Sequence, residues 1–77
     1  MKRLEIFEII EDLAGIEKGT LKGDEMLFGL GQWDSLTGAE FRAIVAENWN
    51  VQLSGVELEK AMDVPHIMLM LKSYLED

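Results

Sequence analysis

The chain has 77 residues, with 15 acidic against 7 basic side chains, a formal net charge of −8, and no cysteine. That charge disfavours phosphate backbones and anionic membrane surfaces. The missing thiols exclude a disulfide framework, a thiolate metal site and a cysteine nucleophile. Hydrophobic residues make up 48% of the chain and proline occurs once, which is too apolar for a disordered acidic tail. One domain over residues 1–77 is the expectation, monomeric and cytoplasmic. Glu5, Glu8, Glu11 and Asp12 break up any signal-like apolar stretch after Met1-Lys2-Arg3.

The pattern from Lys2 to Ala14 predicts an amphipathic helix. Leu4, Phe7, Ile10 and Leu13 recur at three-residue spacing, Ile6 and Ile9 widen the stripe, and the acids fall elsewhere. Gly15 stands where a left-handed C-terminal cap belongs. Residues 15–33 then read as a long loop punctuated by Gly15, Gly19, Gly23, Gly29 and Gly31. Its interspersed Leu21, Met26, Leu27, Phe28, Leu30 and Trp33 predict folding back onto the core, with a turn of helix at Asp24 to Leu27.

A second helix starts at Asp34, an N-cap for the free amides of the first turn, or three residues later at the rival capping box Thr37-x-x-Glu40. It carries Leu36, Phe41, Val45 and Trp49 and ends at Asn48 to Asn50. Ser54-Gly55-Val56-Glu57 is a further capping box, opening a short helix to about Ala61 or Met62. Asp63-Val64-Pro65 restarts the chain as the last helix, with Val64, Ile67, Met68, Leu71 and Leu75 as its buried stripe. The expected fold is all-α: a small four-helix bundle of three longer helices and one short one, with a long loop between the first and second.

Little classical active-site chemistry is on offer. His66 is the only histidine, so no metal site is expected. A hydrolase would need Ser35, His66 and Asp34 or Asp63 to converge, yet Ser35 lacks the Gly-x-Ser-x-Gly elbow. His66 reads instead as a solvent-facing residue of a first helical turn. What remains is Gly31-Gln32-Trp33-Asp34-Ser35-Leu36, a serine at a loop–helix junction. Read locally, Ser35 is either an ordinary first-turn serine or a modification point.

With Asp34-Ser35-Leu36 as attachment motif, Asp24 to Gly31 as the preceding loop pattern and the ungapped stretch Leu36 to Leu71, the chain resembles the acyl carrier proteins, peptidyl and aminoacyl carriers included. The resemblance spans nearly the whole chain. It implies 4′-phosphopantetheine, donated by coenzyme A through a phosphopantetheinyl transferase, on Ser35, and acyl or aminoacyl cargo held on that arm as a thioester. Asp34, Leu36, Glu40 and Glu47 would face partner enzymes with basic patches, namely loading and downstream acyl-transfer enzymes. Val45, Leu53, Leu58 and Ala61 would line a cleft for aliphatic cargo, although such residues by default are plain core. Fatty-acid, polyketide and related biosynthesis all fall within this expectation, and the chain itself would not be an enzyme.

Thr37 where the family often has an acid, Arg42 on the recognition helix, Gly29 in the loop and Gln32-Trp33 before the aspartate depart from the pattern. They point away from the housekeeping fatty-acid carrier and toward a dedicated set of enzymes. The alternative reading is an unmodified acidic helical module that docks a basic partner.

Overall fold

The computed structural model describes all residues, Met1 to Asp77, as four helices with no strand: α1 (Arg3–Ala14), α2 (Ser35–Trp49), α3 (Gly55–Lys60) and α4 (Val64–Met70). No helix is long and apolar enough to cross a membrane. Eighteen buried side chains form one core, centred on Ile6, Ile10, Phe41, Val45, Val64, Ile67 and Leu71.

The helix ends follow local chemistry. Gly15 adopts φ 72° and ψ 29°, the left-handed conformation that closes α1. Asp34, Ser54 and Asp63 cap α2, α3 and α4, each side chain accepting from the amide three residues on. The start of α2 is therefore Asp34, because Thr37 is buried and spends its amide and hydroxyl on Asp34 Oδ1, both at 2.9 Å. Asn50 closes α2 at φ 54°.

Several expectations change. The last helix is short: α4 covers 7 residues, so there are two longer helices and two short ones. After Leu71 the chain tightens into a 3-10 turn, Lys72–Tyr74, which redirects it until the Glu76 amide donates to Met1 O at 2.9 Å. Leu75 is accordingly only half-buried. No helical turn forms at Asp24 to Leu27. The Glu25 carboxylate accepts from the amides of Lys22, Gly23 and Asp24, and the segment runs extended against the entry to α4. There Leu27 N donates to Met62 O and Val64 N donates to Glu25 O, both at 2.9 Å.

Leu4, placed in the buried stripe by its spacing, is 69% exposed. A three-residue step on an α-helix drifts about 60°, so four such residues fan across roughly 180° and the outermost leave the core. The buried face is Ile6, Phe7, Ile10, Glu11 and Ala14. Glu11, read as solvated, is 3% exposed and accepts from the amides of Gly19 (2.9 Å) and Leu21 (2.8 Å). It tacks the start of the loop to α1.

The far end of the loop is tied just as closely. Gln32 N donates to Ala14 O at 2.8 Å, meeting a carbonyl that the end of α1 leaves free. Gly31 makes this approach possible: its φ is 57°, and a Cβ there would stand 2.1 Å from Ala14 O. Trp33 then drops into the core, its ring 6.1 Å from that of Phe41. These anchors fix where Asp34 and Ser35 emerge.

Candidate functional site

Ser35 is the first residue of the 15-residue α2 and is exposed. Neither its hydroxyl nor its amide makes a hydrogen bond within the chain. An unpaired amide at the start of a long helix lies at the positive end of the helix dipole, where an exposed anion gains about 0.3–1 kcal/mol. Beside it, Asp34 turns its carboxylate to Thr37. The Thr37 amide and hydroxyl hold Asp34 below the usual carboxylate range, with a smaller contribution from the Leu36 amide.

Ser35 borders a groove of ≈ 290 Å³ between α2 and α3. Trp33, Gly38, Ala39 and Arg42 form one side, Leu58 and Ala61 the other, and Phe28, Val56 and Glu59 stand at its edges. Of the residues expected to line a cleft, Leu58 and Ala61 border this groove. Val45 and Leu53 do not; they are buried in the core. Phe28, Val56, Gly55 and Glu59 were not expected at a groove: Phe28, with Met26, was expected to fold onto the core, and both are instead more than half exposed. An aromatic within a glycine-rich loop, and a glycine directly after an N-cap serine, were the available signals.

Several apolar side chains lie exposed close to Ser35 in sequence or along the groove. Leu36 is 70% exposed, and Phe28 and Val56 are more than half exposed. Glu40 and Glu47 are exposed and unpaired on α2, seven residues apart and thus on one face. They do not border the groove.

Arg42 is placed differently from every other cation. Its Nε donates to Leu53 O at 2.9 Å, bracing α2 against the connection to α3. The ion pairs of the chain are Met1 ammonium with Glu76 and Lys18 with Glu8, while His66 Nε2 lies 3.9 Å from Glu57, and none of these contacts involves Arg42. The absence of a side chain at Gly55 leaves room for the guanidinium, since a Cβ there would sit 3.2 Å from Arg42 Nη1.

The hydrolase constellation does not assemble. His66 lies 3.9 Å from Glu57 through Nε2, does not border the groove, and is half-buried rather than fully solvent-facing. Asp63 Oδ1 is occupied by the His66 amide at 2.9 Å. No group of three metal-binding side chains converges anywhere in the chain. No family model, curated protein or solved structure matches this chain.

Proposed function

We propose that this protein is a carrier, modified on Ser35 with 4′-phosphopantetheine from coenzyme A, that delivers acyl or aminoacyl groups to partner enzymes in fatty-acid, polyketide or related biosynthesis. The observation that carries this reading is Ser35 itself: an exposed, unbonded hydroxyl at the start of α2, bordering a groove. The residues present fit the group. The hydroxyl is free to form a phosphodiester, the Ser35 amide and the α2 dipole favour the phosphate, and the groove offers apolar surface alongside. When bound, the group supplies the thiol that a cysteine-free chain lacks, and with it a thioester to cargo.

The remaining roles fall to this chain's own residues. Asp34 and Thr37 lock the first turn of α2, so that Ser35 is presented in one orientation. Exposed Leu36 offers a partner enzyme an apolar grip next to the modified serine. Glu40 and Glu47 steer basic partners, which sets encounter rate and salt dependence more than affinity. The protein acts as a cytoplasmic monomer and performs no catalytic step. The same acidic face with Leu36 at its end also favours a second reading, a docking module for a basic partner without modification.

One experiment separates the two. The protein is incubated with coenzyme A, magnesium and a broad-specificity phosphopantetheinyl transferase, followed by intact-mass measurement and peptide mapping. A gain of one phosphopantetheine on Ser35, abolished by Ser35→Ala, is expected. No gain, or a gain that survives the substitution, refutes the carrier reading.

A further inference from the structure

Resting on the carrier reading, we infer that Arg42 is an arm-binding residue: its two Nη groups hold the first amide carbonyl of the phosphopantetheine arm in the α2–α3 groove, leaving the cargo outside the bundle. The argument begins with an unused cation. Fifteen carboxylates surround Arg42 in sequence, yet it pairs with none and is fixed by the Leu53 carbonyl through Nε alone. Arginine is a rigid planar fork, so anchoring Nε orients the Nη donors as well. Arg42 borders the same groove as Ser35, and its Nη1 lies against Gly55, another residue of that lining.

Reach agrees with this placement. Ser35 and Arg42 are seven residues apart on one face of α2, so about 10 Å of helix separates their Cα atoms. An extended chain advances 3.3–3.6 Å per three bonds, so the roughly eight bonds from Ser35 Cα through the phosphodiester to the first amide carbonyl span about 9 Å. An acceptor without its own donor partner therefore arrives beside a donor without an acceptor.

Capacity agrees too. At about 30 Å³ per water-sized group, the groove of ≈ 290 Å³ holds about ten heavy atoms. That matches the arm from its phosphoester oxygen to the first amide, with the geminal methyl groups against Leu58 and Ala61. Val45 and Leu53, which would otherwise line a cleft for cargo, are already buried against their neighbours in the core.

The test uses isotope-labelled protein loaded with unlabelled coenzyme A, loading being verified by intact mass. Isotope-filtered NOE spectra then report contacts of the arm's geminal methyl groups. We expect cross-peaks to Leu58 and Ala61, lost in Arg42→Ala while Ser35 remains fully loaded. Gly55→Ala, which keeps the charge but crowds Nη1, should weaken the same cross-peaks at least twofold and stands in if Arg42→Ala does not fold. A fully loaded protein without these cross-peaks, or with equal intensities in the folded variants, overturns the inference and leaves the carrier reading intact. No mass gain overturns both.

Discussion

Replacing Gly31 by alanine tests the contact that positions the site. The new Cβ would stand 2.1 Å from Ala14 O, a backbone atom with no freedom to swing aside. Alanine at φ 57° also bears the left-handed penalty of roughly 1–2 kcal/mol. Relieving the clash breaks the 2.8 Å Gln32–Ala14 hydrogen bond, and a backbone group left without a partner costs about 1–3 kcal/mol. The expected loss is therefore roughly 3 kcal/mol, against about 4–12 kcal/mol for a domain of this length. At about 4–8 °C per kcal/mol for small domains, the midpoint should fall by roughly 12–24 °C. Gly15→Ala is the control. Its φ is 72°, but the nearest atoms are those of the exposed Gln32 side chain at 3.2 Å, which can swing aside at the cost of its long bond to Leu13 O, so a smaller loss of about 1–2 kcal/mol is expected. Thermal melts followed by circular dichroism give both values. Equal losses in the two variants would refute the close-approach argument.

Three further outcomes are expected. Glu11→Ala should cost about 2–3 kcal/mol in urea unfolding, because it strands the amides of Gly19 and Leu21; Glu11→Gln, which keeps a carbonyl oxygen, should cost less, and equal losses would show that the oxygen is not the anchor. Asp34 is held below its ordinary pKa by Thr37, so its contribution is present above about pH 4 and is lost as pH falls through the depressed value. Asp34→Asn should flatten the acid limb of the stability curve, and a limb as steep as that of the wild type would remove Asp34 from it. Charge reversal at Glu40 or Glu47 should slow transferase loading and reduce its dependence on salt; unchanged stopped-flow rates would return both residues to plain solvated surface.

What could be read from sequence was whatever is decided within a few residues. Gly15, Asp34, Ser54 and Asp63 each punctuate a helix through bonds to near neighbours, and all four stand where their chemistry placed them. The loop was legible only as a loop that returns to the core. Its course depends on Ala14, Met62 and Val64, which no local pattern connects to Gln32, Leu27 or Glu25. Glu11 was open to a stricter reading, for it follows Phe7 by four and so shares its buried face. A serine after an aspartate cap is a local feature that leaves Ser35 open between an ordinary first-turn residue and a modification point, and only the resemblance along the whole chain favours the second. The groove beside it was not legible, since its far wall, Leu58 and Ala61, comes from another helix. Arg42 is in sequence only a departure from the family pattern, and its bond to Leu53 O, eleven residues on, has no local signal.

The double fastening of the loop has a kinetic side. Simple helical bundles fold fast because most of their contacts join near neighbours, whereas pairings between distant segments must first overcome the entropy of closing large loops. Here α1 and α2 can nucleate on their own, but Glu25 must find Val64, Leu27 must find Met62, and Gln32 must find Ala14. By that argument these encounters are expected to be the slow ones. A chain with its helices formed but its loop still searching would already show most of its helical signal, while Ser35 had yet to acquire its neighbours. The surroundings in which Ser35 sits are thus set by the contacts that join the most distant parts of the chain.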